Sequence, residues 1–200
     1  MAVNFQYNKT SLQGLEKQLK VRVKALPTIK NKESALRMEV RKAKEEITRL
    51  EVLLEQLIHQ YQSMMSLWSE FDPTLVGVED VDMSIKKIAG VQTPVLDQVR
   101  FSIRPYSVFN SPKWFSDGIK LIQELAETGI RQEFFHQKMR LLDHARKKTT
   151  QKVNLFEKVQ IPGYDDAIRK IKRFLEDKEN LSKSAQKIVK SRQQTQEVSL

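Results

Sequence analysis

One run of residues limits this chain more than any other. From Leu12, alternating steps of three and four land on Leu12, Leu15, Leu19, Arg22, Leu26, Ile29, Glu33, Leu36, Val40, Ala43, Ile47, Leu50, Leu54, Leu57, Tyr61, Met64, Trp68 and Phe71. Sixteen of these 18 positions are apolar and the phase is never lost, so chance spacing is set aside. A repeat of 3.5 residues held this long specifies a coiled-coil seam rather than one face of a compact bundle. About sixty helical residues at ~1.5 Å each make a rod of roughly 90 Å, so an elongated molecule is expected. Pro27 is the local objection, costing about 3 kcal/mol or kinking the helix.

Proline places the other boundaries. Four of the six prolines (Pro73, Pro94, Pro105 and Pro112) fall in one stretch, which divides the chain into an N-terminal helix over 9–71, a middle region over 72–111 and a C-terminal helix over 112–192. Ser111 is a candidate cap and Pro112 a candidate first helical residue. The second helix has looser apolar spacing at first (Phe115, Ile119, Ile122, Ala126, Ile130, Phe134, Leu141, Ala145, Val153, Phe156). It tightens to a 4–3 pattern at Ala167, Ile171, Phe174, Lys178, Leu181, Ala185 and Ile188. Pro162-Gly163 predicts an interruption or bend, with Asp165 and Asp166 favouring a resumed first turn. In the middle, Met83–Val91 and Val95–Tyr106 read as two short strands separated by Gln92-Thr93-Pro94. Two seams in one chain are most simply satisfied by each other. The expected fold is mainly all-α: a long antiparallel two-helix coiled-coil hairpin, with a small middle region containing a short β-hairpin.

The chemistry that is missing narrows the function. There is no cysteine, hence no disulfide and no thiolate metal site. No phosphate-cradling G-x-x-x-x-G-K-[ST], no G-x-G-x-x-G and no H-E-x-x-H occurs. His59, His136 and His144 have no metal-ligand spacing. No catalytic group, cofactor or metal is therefore expected. No apolar run is long enough to span a membrane. Met1–Gln13 has no apolar leader core, so a cytoplasmic protein without membrane insertion is expected.

Charge is distributed unevenly. Net charge is +7 over residues 9–49, −5 over 50–137 and +9 over 138–192, within a total of +10. The ends are basic and the middle is acidic, which bears on partners. Few aromatics interleave the basic residues, so nucleic acid is not expected as a partner. The readings weighed from the residues alone are an adaptor or scaffold that binds an acidic protein surface, a helix pair lying on a membrane surface, and a basic rod for nucleic acid.

Particular residues add a resemblance. Asn8-Lys9-Thr10-Ser11-Leu12 with Leu15 and Leu19, followed by Ile29-Lys30-Asn31-Lys32 and Leu36, is similar to the opening of the D subunit of V-type ATPases, prokaryotic type. Lys152-Val153-Asn154-Leu155-Phe156-Glu157-Lys158-Val159-Gln160-Ile161-Pro162 resembles that family's R-V-N-A-L-E-x-V-x-I-P, and Ile88–Val95 (IAGVQTPV) resembles its Gly-Val-x-x-Pro element. Ala25, Pro27, Glu33, Phe156, Gly163 and Tyr164 depart from the family pattern. The resemblance implies a non-catalytic central-stalk rotor of a V-type ATPase or ATP synthase. Such a rotor couples ATP hydrolysis or synthesis in the A/B hexamer to proton or sodium-ion transport.

Its implied partners are the catalytic A and B subunits, the F subunit of the stalk and the C/d subunit that serves as membrane-ring adaptor, on the cytoplasmic face of the membrane. Lys30, Lys32, Arg37, Arg41, Lys42, Lys147, Lys148 and Lys152 are the candidates for contact with the hexamer collar. Trp68, Phe71, Trp114 and Phe115 flank the helix–middle junction. They either anchor the other stalk proteins or simply close the hairpin end.

Overall fold

The computed structural model describes residues 3–63, 66–107, 109 and 111–197. Its elements, in chain order, are α1 (Lys9–Ser63), two 3-10 turns (Trp68–Glu70 and Pro73–Leu75), β1 (Val76–Ile88), β2 (Val91–Ile103), α2 (Phe115–Asn154), a π-helical stretch (Leu155–Gln160) and α3 (Ile161–Glu197). The described residues are mainly α with one small antiparallel sheet.

α1 follows the seam. Every seam position from Leu12 to Tyr61 is buried or half-buried. Its first turn is closed by Asn8, whose Oδ1 accepts the Ser11 N–H at 2.7 Å. Pro27 lies inside an uninterrupted helix. Two further seam positions differ from expectation. α1 ends at Ser63 rather than carrying on to Phe71, and Trp68 and Phe71 sit in and after a 3-10 turn, where they face an aromatic cluster. Met64 lies outside the described residues.

The chain forms two compact units. The first comprises the described parts of Met1–Asn31 and Thr149–Leu200. Here the start of α1 packs on α3 through Leu15, Tyr164, Ala167, Ile168 and Ile171. The pairing is antiparallel, because partners rise along one helix as they fall along the other: Glu16 pairs with Lys172, Gln18 with Tyr164, Arg22 with Gln160 and Lys30 with Glu157. Arg22, a polar seam position, donates to Gln160 Oε1 at 2.8 Å and lies 4.5 Å over the Tyr164 ring. Stacking and a charge-assisted hydrogen bond replace an apolar contact there.

The Pro162-Gly163 pair does not end the helix. The Ile161 N–H donates to the Phe156 carbonyl, five residues back, and α3 continues through Pro162. Proline has no N–H for the carbonyl four residues before it and its ring crowds that carbonyl. The wider turn just ahead relieves this crowding.

The second unit is Lys32–Lys148. Leu36, Val40 and Leu142 form its helix–helix contact and take Ile88, Ala89 and Val91 of the hairpin onto it. The strand reading needs correction. The strands are Val76–Ile88 and Val91–Ile103, longer than expected, and they turn at Ala89-Gly90 rather than at Gln92-Thr93-Pro94. The φ angles of Ala89 (47°) and Gly90 (80°) are both positive, as a two-residue hairpin turn matching strand twist requires. Pro94 pairs with Ile85 inside β2. A missing donor is tolerated there because both strands of a two-stranded sheet are edges. Glu79 and Asp97 are extra residues at bulges on opposite strands.

α2 begins at Phe115, later than expected. The Pro112 carbonyl accepts the Phe115 N–H in a turn ahead of the helix, so Ser111 and Pro112 precede it.

Candidate partner-binding surfaces

The collar candidates are spread over both units. In the first unit, Lys30 makes a 2.7 Å ion pair with Glu157 across the helix pair. Lys152 lies 5.9 Å from the Phe156 ring centroid. In the second unit most of these charges are engaged along their own helix: Arg37 with Glu33, Arg41 with Glu45, Lys42 with Glu39 and Lys147 with Asp143. Lys148 is exposed, and Lys32 Nζ lies beside Gly90 of the hairpin turn. Exposed pairs of this kind are worth at most about 1 kcal/mol each, so these charges remain open to exchange partners. The Asp143 carboxyl is held below its ordinary range by hydrogen bonds from Arg146 and then Lys147.

Trp68, Phe71, Trp114 and Phe115 are brought together. Their ring centroids lie 5.0–5.8 Å apart in edge-on and tilted pairs. Tyr61 stacks on Trp68 at 4.4 Å, and the Trp68 Nε1 donates to the Tyr61 carbonyl. Phe71 and Phe115 are buried and Trp68 and Trp114 half-buried. Gly118 makes room for this cluster: a Cβ there would meet Trp114 Cζ3 at 2.8 Å and Trp68 Cη2 at 3.2 Å.

Sequence reasoning missed four features. Val3 and Phe5 pack against the core of the first unit, and Tyr7 lies 4.8 Å from the Phe174 ring. The signal was the alternation of apolar residues at 3, 5 and 7, which is a period-two pattern. α3 has a long exposed stretch, with every residue from Glu176 to Gln194 exposed, including Leu181 at 72% and Ile188 at 56%. The hairpin carries Met83 and Ile85 in the open. A groove of about 300 Å³ lies between Pro94, Val95 and Leu96 of β2 and Phe134, Phe135 and Lys138 of α2.

Among the described residues no cluster of three or more His, Cys, Asp or Glu side chains is placed to hold a metal. No helix of the described residues is long and apolar enough to cross a membrane. The described surfaces comprise paired helices, an uncovered stretch of helix seam and a hairpin.

Known sequences resemble the chain over most of its length. The D subunit of the V-type ATP synthase of Borreliella burgdorferi is 28% identical over 185 residues, covering 92% of each chain. That of Chlamydia caviae is 30% identical over 159 residues, covering 76% of each. That of Chlamydia muridarum is 27% identical over 183 residues, covering 89% of this chain and 90% of its own. The profile of the ATP synthase D subunit matches residues 11–191, nearly the whole seam-bearing length. The chain belongs to the family of ATP synthase D subunits.

Proposed function

We propose that this chain is the central-stalk rotor of a V-type ATP synthase, coupling ATP hydrolysis or synthesis in an A/B hexamer to ion transport. It carries no catalytic group of its own. Its work is mechanical: a helix pair biases each catalytic interface in turn, which is a coupling free energy delivered through a stiff element. A stalk held on the cytoplasmic face by its partners suits a chain whose described helices are all too polar to span a bilayer.

The observation that carries the reading is the uncovered part of α3. Between residues 180 and 196 it has Lys183, Lys187, Lys190 and Arg192 and no acidic residue, and its apolar stripe Leu181, Ala185, Ile188 is exposed. A single amphipathic helix with no partner has little stability of its own in water. An apolar collar would cover that stripe, and acidic side chains at its rim would meet the lysines. The aromatic cluster and the hairpin of the second unit are then the seats for the F subunit of the stalk and the membrane-ring adaptor. The basic side chains from Lys30 to Lys152 are the collar contacts.

The test is a reconstituted complex carrying Leu181→Asp together with Ile188→Asp. Both side chains are exposed, so the isolated chain should keep its melting temperature. ATP-driven ion uptake should fall at least about tenfold. Full coupling in the double variant would refute the shaft reading.

A further inference from the structure

The sheet has an open side. Among the described residues it contains only β1 and β2, so each strand has one edge without a strand neighbour there. The two edges differ. From Val91 to Leu96, β2 is buried or half-buried except at Gln92, and Pro94, Val95 and Leu96 line the groove against α2. From Met83 to Lys87, every residue of β1 is exposed, with Met83 at 62% and Ile85 at 72%. β1 is therefore the outer edge, with unpaired backbone groups and apolar side chains facing water.

Register gives the faces. Met83 pairs with Leu96, Ile85 with Pro94 and Lys87 with Gln92 on one face. Ser84 pairs with Val95 and Lys86 with Thr93 on the other. Thr93 is fully buried, so the second face is the one turned inward at that level. Unpaired strand groups are best met by another extended chain, which supplies N–H and C=O groups at the matching spacing. Charge narrows the choice. Lys86 and Lys87 lie on opposite faces at the turn end of the edge, and neither has an ion pair among the described residues. Residues 83–87 contain no acidic residue, so a second copy paired over this edge would leave both lysines without a counter-charge, which disfavours self-pairing.

We propose that residues 83–87 of β1 accept a strand from a different protein. That strand places apolar residues beside Met83 and Ile85 and adjacent acidic residues beside Lys86 and Lys87. The hairpin becomes a three-stranded sheet, with the partner strand bonded to β1 by main chain and selected by two lysines.

The probe is the peptide Glu-Glu-Val-Thr-Val-Thr-Val-Glu-Glu, whose symmetric pattern suits either strand direction, mixed with the full chain. Amide exchange at the outward N–H groups of 83–87 should slow by about tenfold at peptide concentrations up to about 1 mM. The same peptide with lysine for glutamate should not protect them. In the double variant Lys86→Glu with Lys87→Glu the preference should invert. Equal protection by both peptides, protection elsewhere only, or none up to that concentration would overturn the proposal. So would protection that rises with the concentration of the chain alone, because that result assigns the edge to a second copy.

Discussion

The 4–3 apolar spacing runs through α1 from Leu12 to Tyr61 and again through α3 from Ala167 to Ile188, but only part of it is covered. In α1 every seam position is buried or half-buried. In α3 Ala167 and Ile171 are buried, whereas Leu181, Ala185 and Ile188 are exposed. The pattern is the same and the surroundings differ. α1 begins at Lys9. The Glu179 carboxyl is held low mainly by the hydrogen bond from Lys183 and, last among its causes, by the charge of Lys9. Beyond that level no helix of the described residues lies beside α3. Periodicity specifies where a helix is apolar; it does not say whether the chain itself provides the cover.

The largest expected effect follows directly. Leu36 and Ile171 are fully buried, and truncating either to alanine should cost about 2–5 kcal/mol. Leu181→Ala should change stability by no more than about 0.5 kcal/mol, despite its equivalent place in the repeat. Urea melts of the three variants check this. A Leu181→Ala loss as large as the others would mean the outer seam is covered in the free chain.

Two helical glycines sharpen the contrast at a smaller scale. A β-carbon added at Gly14 would have no neighbour within 4 Å, so Gly14→Ala should stabilise by about 0.5–1 kcal/mol. Gly118→Ala gains the same helix preference but drives a methyl into Trp114 and Trp68. Overpacking of about 1–3 kcal/mol outweighs that gain, for a net loss of about 1 kcal/mol. Thermal melts of both variants should move in opposite directions.

The hairpin turn offers a gain of similar size. Ala89 holds φ at 47°, which a β-carbon disfavours and asparagine tolerates better. Ala89→Asn should stabilise by about 0.5–1 kcal/mol and slow amide exchange in β1 and β2.

Legibility followed the same division between pattern and partner. The seam of α1 was readable from Leu12 to Tyr61, because burial on a long helix repeats with the sequence, but the end of the helix at Ser63 was not. Even Arg22 fits, through Gln160 and the Tyr164 ring. The hairpin was readable as strands but not in register. Pro94 drew the turn to itself, whereas the turn needed positive φ at two adjacent residues, which Ala89-Gly90 supplies. Trp68, Phe71, Trp114 and Phe115 were readable as residues flanking the helix–middle junction, whereas their packing on one another was not, because it depends on the 3-10 turn that follows α1. The openness of α3 and of the β1 edge was not readable, because exposure depends on which elements pack there.

The smallest expected effect concerns pH. With its carboxyl held low by Arg146 and Lys147, Asp143 stabilises the fold above its ordinary value of 3.8. That contribution is lost as pH falls through the lower folded value. Asp143→Asn should therefore flatten the fall in melting temperature between about pH 5 and pH 2.

Amide exchange along α3, in the free chain and in the chain assembled with an A/B hexamer, tests the central claim most directly. An uncovered helix end should exchange quickly over residues 180–194 when free, then slow by at least about tenfold on assembly. Meanwhile, α1 from Leu12 to Tyr61 should be protected in both states. Unchanged exchange over 180–194 in an assembled complex would contradict the proposal that this open seam meets the hexamer.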